Sequence, residues 1–291
     1  MFYPRVAWVQ DWSTTGGAEL SNLEVIRVGR LLGFSIQQIT PKNFDLKWLR
    51  SADLIVINNF FQFKDDQAKK VLELIFEKNV PYVKYEHDHR EIERLGLSRR
   101  LFGKSRLNVF ISPLQEKGHR KVIEVDPCIV LPLAYDTHRF CNGGEDVRKK
   151  NTVVSTTGKL WNSKGLMNIY AFVMNRPDLI FDVYSIKNDI ISQLLGNKKN
   201  VRLHEPIPIE QMPNVYRQAE YVIHLPTYPE ACGRSVVEGV LCGCKPVVNE
   251  LCGVASYDWW GDRKKLVDAV KKAPYKFWKA IDSIERWKSC T

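Results

Sequence analysis

The stretch HLPTYPEACGRSVVEGVLCGCKPVVNELCG, residues 224–253, decides the fold. It starts at the end of an apolar run, Tyr221 to Leu225, long enough for a buried strand. A loop from Pro226 to Gly233 follows and carries one carboxylate, Glu230. A short segment, Ser235 to Leu241, carries a second, Glu238, and stops at Gly243; a second apolar strand, Pro246 to Val248, comes next. Strand, loop, helix, strand is one crossover of a parallel α/β sheet, and ligands of such sheets bind beyond the carboxyl ends of the strands. Two carboxylates held there suit a polyhydroxyl ligand, since each accepts two hydrogen bonds and vicinal hydroxyls offer paired donors. The plainer alternative is a crossover whose helix simply contains a glutamate.

Toward the N-terminus the same alternation continues. Apolar periodicity predicts a helix over Ile209 to Ala219, with Met212, Val215, Tyr216 and Ala219 on one side, and strands at Val201–Leu203, Leu179–Tyr184 and Thr152–Ser155. The last of these leads into Gly158-Lys159-Leu160-Trp161-Asn162-Ser163-Lys164-Gly165 and a helix with Leu166, Ile169, Tyr170 and Val173 inward. Two lysines in a strand-to-helix loop fit a diphosphate clamp, because their charge offsets what builds on a leaving phosphate; otherwise they are two solvated lysines. Residues 141–151, CNGGEDVRKKN, have no apolar period and read as a linker. Beyond the opening stretch, Asp262–Lys272 and Tyr275–Lys288 read as two helices.

The first half repeats the pattern. Val6–Val9 is a strand, and Gly16-Gly17-Ala18-Glu19 opens a helix with Leu20, Leu23, Ile26 and Leu31 near one face. A Gly-Gly turn lets backbone approach a ligand, and the helix N-terminus offers N–H groups to an anion. Ser35–Ile39, Asp53–Ile57, Pro81–Tyr85, Leu107–Ser112 and Cys128–Leu131 read as further strands, with a helix over Lys64–Lys78. Glu86-His87-Asp88-His89-Arg90 follows the Pro81–Tyr85 strand, at a strand end where sites form. Residues 90–106 are basic, with Arg90, Arg94, Arg99, Arg100 and Lys104 between Leu95, Leu97, Leu101 and Phe102. That stretch suits an anionic lipid surface, a phosphate-contacting face for DNA, or a solvated helix.

With 291 residues, 44% of them hydrophobic and 26% charged, the chain has globular composition and enough length for two cores. No apolar run approaches the roughly 18 residues of a membrane span, and MFYPRVAWVQDW lacks the regions of a signal peptide, so a soluble cytoplasmic protein is the expectation. A net charge of +10 favours an anionic partner. The spacing of Cys232, Cys242, Cys244 and Cys252 fits no common zinc module, so they read as small buried side chains and no metal is assigned.

Five motifs in order resemble retaining glycosyltransferases of the GT-B fold, family 4: Gly16-Gly17-Ala18-Glu19, His87-Asp88, Pro132…Asp136…Phe140, Gly158-Lys159-Leu160…Lys164-Gly165, and Glu230…Glu238, the E-x7-E signature. Three positions depart from the family: Ala134 stands where glycine is usual, Lys159 where arginine is usual, and Lys245 is an extra residue before Pro246. The resemblance implies an α/β protein of two Rossmann-like, doubly wound parallel-sheet domains. Residues 1–141 would form the acceptor-side domain and 142–274 the nucleotide-sugar domain, with a helix at 275–291 crossing back. It implies a nucleoside-diphosphate sugar such as UDP-glucose as donor substrate, no separate cofactor and no metal. Donor contacts would come from Gly16, Gly17, Gly158, Lys159, Lys164, Glu230, Ala231, Cys232, Gly233, Arg234, Ser235 and Glu238. Glu238 would hold the ribose and Glu230 the sugar. His87, Glu230, Lys164 and Lys159 would carry catalysis. Asp88, Arg90, Arg94, Arg99 and Arg100 would lie on the acceptor side. A glycan or lipid-linked glycan is the family's usual acceptor; a hydroxylated DNA base, as in viral DNA glycosyltransferases, is an alternative. A third possibility is a non-catalytic protein of the same fold that binds sugar nucleotides or nucleic acid.

Overall fold

A computed structural model describes residues 4–12, 16–89, 95–143, 149–156, 160 and 162–284. The chain forms two compact units: one holds the chain up to Ala134 and the segment from Ala269 on, the other Tyr135–Asp268.

In the first unit six strands, β1 (Arg5–Val9), β2 (Ser35–Ile39), β3 (Leu54–Ile57), β4 (Tyr82–Tyr85), β5 (Leu107–Phe110) and β6 (Cys128–Val130), form one parallel sheet in the order β2-β1-β3-β4-β5-β6. The connecting helices are α1 (Gly17–Leu31), α2 (Leu46–Ser51), α3 (Asp65–Phe76), α4 (Leu95–Lys104) and α5 (Pro113–Arg120). Every residue of β3, β4 and β5 is buried, as expected of parallel strands covered on both faces. One face carries Ala7, Val9, Ile39, Ile55 and Ile57, in one core with Val71 of α3. Strand alternation turns Trp8 and Tyr85 to the other face, where they meet Phe277 and Trp278. The buried Trp278 also donates its indole N–H to the Val25 carbonyl of α1 at 2.7 Å.

In the second unit β7 (Lys149–Ser155), α6 (Leu166–Asn175), β8 (Ile180–Tyr184), α7 (Asp189–Leu195), β9 (Val201–His204), α8 (Met212–Gln218), β10 (Ala219–His224), α9 (Arg234–Leu241) and β11 (Lys245–Val248) follow in turn. The five strands form a parallel sheet in the order β11-β10-β7-β8-β9, with Val153, Ile169, Val173, Phe181, Val183 and Ile223 in its core. In both sheets the first strand lies inside. The chain fills one side, then returns to the other, so the switch point falls between β1 and β3 in one sheet and between β7 and β10 in the other.

Three local expectations change. The expected linker at residues 141–151 ends in strand, because β7 already starts at Lys149: backbone pairing needs no apolar side chain, and Lys149 is in register with Ala219. The unit boundary falls after Ala134 rather than after Cys141, and again after Asp268. The two C-terminal helices are one, α10 (Arg263–Asp282), with Pro274 inside it. Proline forfeits one hydrogen bond of the ladder, and the buried stripe Leu266, Val270, Ala273, Phe277, Ile281 offsets that loss. Among the described residues no helix is long and apolar enough to cross a membrane.

Candidate active site

Parallel α/β sheets bind ligands at the switch point beyond the carboxyl ends of their strands. In the second sheet that point lies between Ser155, the end of β7, and His224, the end of β10. The loop after β10 is fastened to the 3-10 turn Asn162–Lys164. Thr227 donates its N–H to the Ser163 carbonyl at 3.3 Å and its hydroxyl to the Asn162 carbonyl at 2.6 Å, and the Asn168 amide reaches the Leu225 carbonyl at 2.9 Å. Gly165, at φ 89°, makes this approach possible, because a Cβ there would overlap the Leu225 carbonyl. On its other side the loop pairs with residues 251–254. The Glu230 N–H donates to the Leu251 carbonyl and the Gly253 N–H to the Glu230 carbonyl, each at 2.8 Å.

These straps bring three side chains together. Lys164 Nζ donates to Glu230 Oε1 at 2.8 Å, and His224 Nε2 lies 2.5 Å from Glu230 Oε2. Burial alone would raise the Glu230 carboxyl. The hydrogen bond and electrostatic pull of His224, with the Lys164 ammonium, outweigh it and hold the group down at about 2. Glu230 is therefore ionised and purely an acceptor at neutral pH.

The second carboxylate is held differently. Glu238 is buried on α9, where Oε1 accepts from Arg234 Nε at 2.7 Å and Oε2 from the Tyr216 hydroxyl at 3.4 Å. Tyr216 is in turn 2.6 Å from the Thr156 hydroxyl just past β7. Burial raises the Glu238 carboxyl, against the pull of Arg234. The Arg234 guanidinium also sits over the Tyr135 ring, 4.5 Å from its centroid. Gly233 caps α9 in the left-handed region at φ 86°, Ala231 and Cys232 are buried, and Ser235 is half-buried. Burial pushes the Cys232 thiol up to about 12. At the carboxyl ends of β8 and β9 and the start of α8 lies a cavity of about 590 Å³ lined by Tyr184, His204, Glu205, Gln211 and Asn214 among others. Tyr184 and His204 stack in it, with centroids 4.4 Å apart.

The sequence-derived candidates thus divide. Lys164, Glu230, Ala231, Cys232, Gly233, Arg234, Ser235 and Glu238 gather in the second unit. Gly16, Gly17, His87 and Asp88 belong to the first unit, all at the carboxyl edge of its sheet, past β1 and β4. Gly16 is the N-cap of α1, where a Cβ would overlap the buried carboxylate of Glu19, so a carboxylate already occupies that side of the turn. Burial raises the Glu19 carboxyl. His87 packs edge-on against Tyr85 at 4.3 Å, and the Asp88 backbone N–H donates to Glu86 Oε1 at 2.7 Å. Glu86 is itself fully buried and paired with Lys84 at 2.9 Å. Arg99 and Arg100 are exposed on α4, and Arg100 lies over the Phe76 ring at 4.3 Å. Gly158, Lys159, Arg90 and Arg94 lie outside the described residues. Among the described residues no group of three or more His, Cys, Asp or Glu side chains could hold a metal ion.

Two members of the cluster, His224 and Tyr216, were not among the candidates. His224 had a usable signal: a polar residue closing the apolar run from Tyr221, at a strand end, the same position that singled out His87. Tyr216 had none, because its helical period marks it as an ordinary core residue.

No protein-family profile matches the chain, and no curated relative matches it by sequence. Solved structures do. HepE from Anabaena, in complex with UDP and glucose, superimposes at TM-score 0.65 with 16% identity, over 94% of this chain and 92% of that one. Sucrose-phosphate synthase from Thermosynechococcus elongatus does so at TM-score 0.76 with 11% identity, over 97% and 99%. An alpha-glucosyltransferase in complex with UDP and a 13-mer DNA containing an HMU base does so at 0.63 with 11% identity, over 99% and 93%. Two doubly wound parallel sheets with these structural neighbours give the chain the fold of the GT-B glycosyltransferases.

Proposed function

We propose that the chain is a glycosyltransferase that moves a sugar from a nucleoside-diphosphate sugar to a hydroxyl acceptor with retention of the anomeric configuration. UDP-glucose is the first donor to test, since HepE is similar to this chain and binds it. The observation that supports this best is the ionised, doubly anchored Glu230 beside Lys164 at the switch point of the second sheet. An acceptor-only carboxylate suits sugar hydroxyls, and an ammonium next to it suits the diphosphate. In the reaction the bond from the anomeric carbon to the diphosphate breaks and a bond to the acceptor oxygen forms on the same face. The acceptor proton leaves with the departing diphosphate, whose growing charge Lys164 offsets. Lys159 and Gly158 would share that load. Glu238, with lone pairs left over after Arg234 and Tyr216, takes a ribose hydroxyl, and the Tyr184–His204 cavity has room for the base.

A glycan or lipid-linked glycan is the proposed acceptor. A hydroxylated DNA base is the second reading. It is favoured by the net charge of +10 and the exposed Arg99, Arg100 and Lys104 of α4, and by similarity to an alpha-glucosyltransferase bound to DNA. Salt-sensitive binding to plain duplex DNA supports that acceptor, and no binding at low salt removes it.

The test is release of nucleoside diphosphate from a panel of UDP-, GDP- and ADP-sugars, with and without EDTA. Turnover in both conditions is expected, with large losses in Glu230→Ala and Lys164→Ala. Wild-type rates in both variants would remove these roles. Binding of a donor without turnover would identify a non-catalytic protein, and failure to bind any donor would sink the proposal.

A further inference from the structure

His224 is out of place by the ordinary rules of a parallel sheet. It ends the inner strand β10, and its side chain is 1% exposed. A buried polar ring costs stability unless its polar atoms are bonded. Nε2 meets Glu230, but Nδ1 is buried with no hydrogen-bond partner among the described residues. An aliphatic side chain at the end of β10 would avoid that orphan atom, so the imidazole's return must lie in its contact with Glu230.

The two partners of Glu230 also differ in freedom. Lys164 is 44% exposed, on a flexible stem. His224 is packed beneath the cap of α9, where a Cβ on Gly233 would lie 3.5 Å from the imidazole Cδ2. Glu230 is ionised and can only accept, so Nε2 carries the proton and donates it. One oxygen of the carboxylate is thus fixed by a rigid donor and the other is covered by a mobile one.

We propose that His224 is a positioning residue for the donor sugar: it pins Oε2 of Glu230, so that Oε1 passes to a sugar hydroxyl when Lys164 turns to the diphosphate. This rests on the proposed transferase function and adds a division of labour to it. The sugar is read through His224 and Glu230. The diphosphate is held without them.

Calorimetric titration separates these roles. UDP-glucose, GDP-mannose and ADP-glucose, and the matching diphosphates UDP, GDP and ADP, are titrated into wild type, His224→Ala, His224→Gln, Glu230→Ala and the His224→Ala/Glu230→Ala double variant. His224→Ala is expected to weaken the sugar nucleotide that wild type binds by about ten- to a hundredfold, the scale of a lost hydrogen bond to a charged group. The matching diphosphate should stay within about threefold. His224→Gln keeps an N–H donor, recovers most of the sugar affinity, and stands in should the alanine variant not fold. In the Glu230→Ala background, removing His224 should add nothing. Unchanged sugar affinity in His224→Ala overturns the inference. So does an equal loss for sugar nucleotide and diphosphate, which marks a merely structural role, or a full additional loss in the Glu230→Ala background. Wild type that binds none of the six compounds overturns the transferase function as well, which keeps the two failures distinguishable.

Discussion

Replacing Glu230 with glutamine keeps the shape of the side chain and removes its charge. The native carboxyl sits at about 2 against an ordinary 4.5, and 1.36 kcal/mol per pH unit makes the native charge worth about 3 kcal/mol at neutral pH. The amide still accepts from Lys164, so this is a ceiling. The sign follows from the depressed value. A carboxyl lower in the folded state contributes fully above 4.5 and loses its contribution as pH falls toward 2, so at pH 3 about 1.4 kcal/mol remains. Wild type and Glu230→Gln are compared by urea unfolding, followed by far-ultraviolet circular dichroism, at pH 7, 5, 4 and 3. The expected outcome is a stability gap near its maximum at pH 7 and 5 that shrinks by more than half at pH 3. A gap that stays constant across this range, or no gap at pH 7, would refute the view that Lys164 and His224 hold the carboxylate ionised.

Three further outcomes are expected. Gly165→Ala places a Cβ against the Leu225 carbonyl at φ 89°, and should cost about 1–3 kcal/mol and lower donor turnover along with the thermal midpoint; an unchanged midpoint would show that the turn has room. Lys84→Met removes the ion-pair partner of the fully buried Glu86 carboxylate, for a loss of about 3–5 kcal/mol that adding Glu86→Gln partly restores, read from denaturant midpoints. Trp278→Ala removes a buried indole and its hydrogen bond to the Val25 carbonyl, and should cost about 3–5 kcal/mol in the same assay; a loss below about 1 kcal/mol would mean that α10 does not anchor the first sheet.

The two parallel sheets were legible because their strands are short apolar runs at regular intervals. Ser35–Ile39 matches β2 residue for residue, and β3, β4, β8 and β11 start one residue away from the sequence reading. Helices α2, α5 and α7 are too short to show a period, and Ser112, read as the end of a strand, is the N-cap of α5. Pro274 read as a break because a local rule cannot weigh the burial of Phe277 and Trp278. At the site, the spacing of Glu230 and Glu238 showed that two acids share a crossover. It did not show that one is clamped by Lys164 and His224 and the other by Arg234 and Tyr216. Lys164 and Tyr216 come from 66 and 22 positions away, and only the strand order brings them in; Arg234 lies one helical turn from Glu238 and His224 six positions from Glu230.

The first unit is discontinuous in the chain: its sheet is complete by Val130, but Phe277 and Trp278 come after the whole of the second unit. On a ribosome adding about 5–20 residues per second, the apolar face around Trp8 and Tyr85 waits roughly 7–30 s for its cover. The order of maturation is therefore inverted. The second unit, Tyr135–Asp268, has its sheet and core within one continuous run and closes first, while the N-terminal sheet finishes last, through a bond spanning 253 residues. Nascent chains halted before Phe277 should carry a protease-resistant second unit and an N-terminal sheet that calls on chaperones.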